Sequence, residues 1–139
     1  MKVLSISPRG YCYGVVDAMV LVRRIADNPL IPKPIHVLGM LVHNRQVSEA
    51  FAEIGVVSVD GRGKTRLDLL DEISEGTVIF TAHGVSPEVR LEALRRGLHV
   101  EDATCPDVTR THDLLREHIA ASSHLHSRPK PPKGAMFVD

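Results

Sequence analysis

Two cysteines and two of the eight histidines stand at points in this 139-residue chain where reactive side chains are well placed to work together. Cys12 lies in Ser7-Pro8-Arg9-Gly10-Tyr11-Cys12-Tyr13-Gly14, His43 in Leu41-Val42-His43-Asn44, His83 in Ala82-His83-Gly84-Val85, and Cys105 in Thr104-Cys105-Pro106. Thiolates are soft metal ligands, and a cysteine at a helix amino terminus faces a positive potential that favours the thiolate. Cys105 fits that case, because Pro106 suits the first helical position and makes Cys105 its cap. A Cys-Pro step also occurs beside iron–sulfur ligands. Gly10 and Gly14, lacking side chains, leave room for backbone near Cys12 to approach a bulky inorganic group. His43 and His83, each close to a helix start, can donate hydrogen bonds to a phosphate or diphosphate.

Taken singly, each residue also has an ordinary reading. A lone cysteine is a small buried hydrophobe, and a lone histidine at a helix start is a solvated or capping residue. Four such residues on four separate strand-to-helix turns favour a shared site. Asp102 and Asp107 flank Cys105, where acids are normal structural choices for a strand end and a first helical turn. Arg9 has two readings, facing a diphosphate or solvated. His36, His99, His112, His118, His124 and His126 are read as surface or packing residues. Neither G-x-x-x-x-G-K-[ST] nor G-x-G-x-x-G occurs after the first strand, so nucleotide-type phosphate loops are unsupported. Catalytic carboxylate pairs are not found either.

The elements that must carry these turns alternate. Short runs rich in Val, Ile, Leu and Thr predict strands at Lys2 to Ser7, Ile35 to Gly39, Val56 to Val59, Thr77 to Ala82 and Leu98 to Asp102. Amphipathic stretches between them predict helices. Gly14 to Ala26 carries an apolar stripe of Val15, Ala18, Met19, Val22, Ile25 and Ala26. Asn44 to Glu53 is expected to bury Val47, Ala50, Phe51 and Ile54, with Gly55 as its stop. A short helix follows at Leu67 to Ile73. Ser86-Pro87-Glu88 opens a fourth helix that ends at Gly97, and the fifth begins at Thr104-Cys105-Pro106. This alternation predicts an α/β fold of βα units with a parallel sheet. Ligands of such a sheet collect at the carboxyl ends of its strands, where all four candidate residues fall. Gly61 to Lys64 reads as a surface turn, and Asn28 to Pro34 as a proline-rich connection.

Composition narrows the class. Hydrophobic residues make up 43% and charged residues 24%, which fits one ordinary soluble domain with a core. Lys plus Arg and Asp plus Glu both total 17, so no overall field favours nucleic acid or an acidic membrane. The longest apolar stretch, Val15 to Ile25, is interrupted by Asp17, Arg23 and Arg24, and Met1 opens no secretory leader, so the expected location is cytoplasmic, without membrane spans. A structural disulfide between Cys12 and Cys105 is not expected in a reducing compartment. After about Ala120 the composition shifts: 122 to 133 holds serines, histidines, prolines and basic residues without periodicity. The domain is therefore expected over 1–120, with a low-complexity, disordered tail over 121–139.

Four segments together carry a family resemblance: Ser7-Pro-Arg-Gly-Tyr-Cys-Tyr-Gly-Val-Val-Asp-Ala, Gly39-Met-Leu-Val-His-Asn, Phe80-Thr-Ala-His-Gly-Val-Ser-Pro and Asp102-Ala-Thr-Cys-Pro-Asp-Val-Thr. In order and spacing, over roughly residues 1 to 115, they closely resemble the amino-terminal portion of the 4-hydroxy-3-methylbut-2-enyl diphosphate reductases, the LytB-like iron–sulfur reductases. The resemblance implies a three-lobed α/β oxidoreductase in which three cysteines hold a 4Fe-4S cluster and one iron is left for the substrate hydroxyl. Carried onto matching positions, Cys12 and Cys105 are two of those metal ligands, and His43 and His83 bind the diphosphate of the allylic substrate. A small electron-transfer protein such as ferredoxin or flavodoxin would supply electrons. The products implied are isopentenyl and dimethylallyl diphosphate, in the last step of the non-mevalonate route of isoprene biosynthesis.

The chain departs from that pattern after His112-Asp113-Leu114, where the family continues to a further histidine, an acidic proton donor and the third cysteine. None of those roles transfers to His124, His126 or Glu117, so no catalytic residue beyond the binding set is assigned. The expectation is a truncated chain, inactive alone. The competing readings are a Cys2His2 zinc site built from Cys12, Cys105, His43 and His83, or a phosphate-binding α/β module without redox chemistry.

Overall fold

The computed structural model describes residue 4, residues 10–61 and residues 63–123, with side chains of 121–123 excepted. The order of elements is α1 (Tyr13–Asp27), β1 (Ile35–Leu38), α2 (Arg45–Glu53), β2 (Val56–Val59), α3 (Arg66–Leu70), β3 (Thr77–Phe80), α4 (Pro87–Arg95), β4 (His99–Asp102) and α5 (Pro106–Ser123). Of the strand expected over Lys2 to Ser7, only Leu4 is described. It belongs to neither helix nor strand and is 90% exposed, so it does not pack as a strand leucine would. Arg9 lies outside the described residues.

The four described strands form one parallel sheet in the order β2-β1-β3-β4, as an alternating βα pattern requires. Side-chain parity divides the core into two layers. Ile35, Val37, Val56 and Ile79 meet Ala18, Val22 and Ile25 of α1 on one face. Leu38, Val59, Val78 and Phe80 meet Leu69, Leu70, Val89 and Ala93 on the other. The central strand β3 is buried at all four positions.

Local chemistry sets the helix starts. The Asn44 side chain accepts from the N–H groups of Gln46 and Val47 at 3.0 and 3.4 Å. Ser86 accepts from Val89 ahead of Pro87. Thr65 and Asp68 form a reciprocal capping box, so α3 begins one residue before the expected Leu67 and stops at Leu70, leaving Ile73 buried in the following turn. Helix α2 corrects one expectation: none of its residues is fully buried and Ala50 is exposed. It covers the edge strand β2, where Phe51 and Ile54 reach the core only partly.

The chain divides into two units, Met1–Thr109 and Arg110–Asp139. In the second unit α5 continues to Ser123, overlapping the expected tail over 121–123; the rest of that tail lies outside the described residues. Arg116 pairs with Asp113 at 2.8 Å along the helix. Among the described residues no helix is long and apolar enough to cross a membrane.

Candidate functional site

The chain leaves β1 toward α2 and β2 on one side, and β3 toward α4 and β4 on the other. The point where the connections diverge is therefore the gap between β1 and β3, the place where open parallel sheets bind ligands. His43 lies on the turn after β1 and His83 on the turn after β3, both exposed, so they flank that gap. Cys105 follows β4 directly before α5, and Cys12 is the residue before α1.

Contacts join these turns in series. The Cys105 N–H donates to the carbonyl of Ala82, the neighbour of His83, at 3.0 Å. Asn44 Nδ2 donates to the Tyr11 hydroxyl at 2.9 Å, tying the segment before Cys12 to the turn that carries His43. Between α1 and Cys105 the fit is closest. A Cβ placed on Gly14 would lie 2.5 Å from Cys105 Sγ and 2.9 Å from Cys105 Cβ. Gly14 is thus required as the surface on which Cys105 seats, which revises the expectation that it frees backbone to approach an inorganic group. At Gly10 a Cβ would meet nothing within 4 Å.

Tyr13 completes the junction. Its hydroxyl donates to the Asp107 carboxylate and also meets Cys105. The Asp107 hydrogen bond first, then desolvation and the carboxylate's charge, hold the phenol well above its usual range. The turn before Cys105 is fixed as well. Asp102 accepts from the Thr104 N–H at 3.0 Å and the Thr104 hydroxyl at 2.5 Å, and it pairs with Arg90, whose guanidinium sits 5.3 Å above the Phe80 ring. Burial pushes the Asp102 carboxyl up, but the Thr104 and Arg90 hydrogen bonds outweigh it and leave the group below the ordinary carboxylate range. At the end of β3, Thr81 Oγ1 is buried without a hydrogen-bond partner.

Both cysteines are free; Cys12 is exposed and Cys105 half-buried. The Cys12 side chain makes no capping hydrogen bond, and Cys105 stands at the start of α5, where its carbonyl accepts the helical bond from Thr109 at 3.0 Å. A cavity of about 250 Å³ opens beside Cys105, lined also by Gly14, Asp17, Leu21, Asp102 and Pro106 among others. Among the described residues no three of His, Cys, Asp and Glu gather closely enough to hold a metal ion. The Cys2His2 zinc site is therefore not assembled. Strands β1 and β4 are separated by β3, roughly 10 Å at normal strand spacing, whereas tetrahedral zinc needs donors about 2.0–2.3 Å from one ion.

The sequence reading placed Cys12, His43, His83 and Cys105 along one sheet edge and did not single out Tyr11, Tyr13 or Asn44. It treated Asp107 as an ordinary first-turn acid. A phenol on each side of a candidate ligand in Tyr11-Cys12-Tyr13 is the signal that was available.

Residues 3–127 match the family model described as LytB protein. The 4-hydroxy-3-methylbut-2-enyl diphosphate reductase of Brevibacillus brevis is 59% identical over an alignment of 143 residues, covering 99% of this chain and 45% of that protein. Its counterpart in Halalkalibacterium halodurans is 64% identical over 117 residues, covering 84% and 37%. Among solved structures, the E-1-hydroxy-2-methyl-but-2-enyl-4-diphosphate reductase of Plasmodium falciparum superposes with a TM-score of 0.69 at 29% identity, covering 84% of this chain and 34% of that one. A second, described as (E)-4-hydroxy-3-methyl-but-2-enyl diphosphate reductase, the terminal enzyme of the non-mevalonate pathway, gives 0.62 at 33% identity, covering 78% and 36%. The chain spans less than half the length of the curated relatives it matches. Similarity also runs beyond residue 115, the limit read from the motifs, to residue 127 in the family match.

Proposed function

The chain belongs to the LytB protein family, and from that premise we propose that it is part of a 4-hydroxy-3-methylbut-2-enyl diphosphate reductase. The reaction is reductive removal of the allylic hydroxyl, giving isopentenyl and dimethylallyl diphosphate. One observation carries the proposal: the starts of the two cysteine-bearing helices are locked together through Gly14 against Cys105 and Tyr13 against Asp107.

The donor chemistry fits two attachments of a 4Fe-4S cluster. Both thiols are free, and both stand at helix amino termini. On this reading Cys12 and Cys105 hold the cluster, and the third thiolate that the family uses has no counterpart among this chain's two cysteines. When bound there, the cluster would supply the electrons and the Lewis acidity that loss of the allylic hydroxyl requires. His43 and His83 bind the diphosphate at the gap between β1 and β3, supported by the positive ends of α2 and α4. A ferredoxin or flavodoxin is the electron donor of this reading, and a reducing cytoplasm is its compartment.

The test is anaerobic reconstitution of the chain with iron and sulfide, alongside Cys12→Ser and Cys105→Ser, followed by a reductase assay. The expected result is a weak, oxygen-sensitive visible absorption of thiolate-bound iron that each substitution removes, with no sustained turnover from this chain alone. Absorption that survives both substitutions, or colourless protein with stoichiometric zinc, would refute the assignment.

A further inference from the structure

Among the described residues, no capping hydrogen bond of the Cys12 side chain fixes its place. The residue is exposed, its thiol makes no capping bond, and it begins α1 only through its carbonyl, which accepts from Val15 and Val16 at 3.1 Å. Its two neighbours, by contrast, are both anchored, and in opposite directions. On one side the Tyr11 hydroxyl accepts from Asn44 Nδ2 at 2.9 Å. That asparagine spends its other end, Oδ1, capping α2, so the bond is referenced to the turn leaving β1. On the other side Tyr13 donates to Asp107 in the first turn of α5, and is referenced to the turn leaving β4. Neither ring is a core residue: Tyr11 is 46% exposed and Tyr13 54%. Burial of apolar area therefore does not explain why both phenols find protein partners.

We infer that Tyr11 and Tyr13 are positioning residues that pin Cys12 between the turns leaving β1 and β4, and so fix its separation from Cys105. The inference rests on the cluster-holding reading given above. Gly14 provides the third constraint, because Cys105 seats against its bare Cα and the first turn of α1 cannot withdraw without losing that contact. The division of labour follows from bond strengths. An exposed hydrogen bond contributes little to global stability, yet two of them on either side of one residue restrict where its thiol can go. The clamp should therefore act on the geometry of the thiol pair, with a fall in melting temperature of no more than roughly 4 °C per bond.

Cadmium ion is a suitable probe, since it is soft and two thiolates can capture it together. The full chain would be titrated anaerobically, reading thiolate-to-cadmium charge-transfer absorbance, as wild type, Tyr11→Phe, Tyr13→Phe, Asp107→Asn, the Tyr13→Phe/Asp107→Asn double variant, Cys12→Ser and Cys105→Ser. Each serine variant should abolish two-thiolate capture. Each phenylalanine variant should weaken it roughly fivefold, the size of one net hydrogen bond. Asp107→Asn should match Tyr13→Phe, and the double variant should lose no more than either. Alkylation of Cys12 in a Cys105→Ser background, which needs no partner thiol, should keep its rate in all of them. If the serine variants abolish capture while the tyrosine variants bind like wild type, the clamp is refuted and the thiol pair stands. A loss in Tyr13→Phe that Asp107→Asn fails to reproduce also refutes it. Capture unaffected by either serine variant overturns the clamp and the cluster assignment together.

Discussion

Gly14→Ala isolates the contact on which the site turns. The new methyl group would sit 2.5 Å from Cys105 Sγ and 2.9 Å from its Cβ, against an ordinary carbon contact of roughly 3.5–4.0 Å. The start of α1 and the start of α5 must then separate by about 1 Å to restore that contact distance. Overpacking of this kind costs about 1–3 kcal/mol. Replacing glycine by alanine in a helix returns up to about 1 kcal/mol, less here because Gly14 is only the second residue of α1. The net expectation is a loss of about 1 kcal/mol, or roughly 4 °C in the melting midpoint for a domain of this size. Thermal melts with paired urea titrations would measure it. Cys105→Ala in the same background removes the nearest atom but leaves the Cβ, so part of the loss should return, and the two substitutions should couple. Anaerobic iron–sulfide loading should fall by more than the stability change alone explains. A Gly14→Ala protein that is more stable than wild type and loads iron equally would show that helix propensity dominates and that the Gly14–Cys105 seat is unimportant.

Two further outcomes follow from other parts of the sheet. His36 on β1 has a buried Nδ1 without a partner, and burial lowers its proton affinity despite an opposing backbone contact at Thr77. The unfolded chain therefore takes up the proton more readily, so the stability that neutral His36 contributes is full above the unfolded value of about 6.5 and is lost as pH falls through it. Melting midpoints should drop between neutral and mildly acidic buffer, and His36→Gln should flatten that slope; an unchanged slope would contradict the assignment. At the end of β1, Gly39 has φ +96°, and a Cβ there would lie 1.7 Å from Arg66 Nη1, which donates to the Leu38 carbonyl at 2.8 Å. Gly39→Ala should cost about 2–3 kcal/mol by urea denaturation, from backbone strain and displacement of that guanidinium. In an Arg66→Ala background only the strain should remain.

What could be read from the chain directly was local. Asn44, Ser86 and Pro106 mark helix starts because a cap acts within three or four residues, and the apolar stripe of α1 repeats at helical spacing for the same reason. Alternating strands and helices were enough to predict a parallel sheet with its reactive turns at one edge, and the sheet is parallel. The placing of His43, His83 and Cys105 on the turns after β1, β3 and β4 needed only chain order. Other features depended on which segments meet. Helix α2 covers an edge strand and so stays half-exposed, which its amphipathic pattern did not reveal.

The strand order β2-β1-β3-β4 decided that His43 and His83 flank the diverging connections. Only the folded chain brings Tyr11 to an asparagine 33 residues away, Tyr13 to Asp107, and Gly14 under Cys105. Periodicity and capping are set by neighbours along the backbone, so the sequence reports them. The clamp around Cys12 is set by side chains that become neighbours only after the sheet has formed, and no local pattern encodes that meeting.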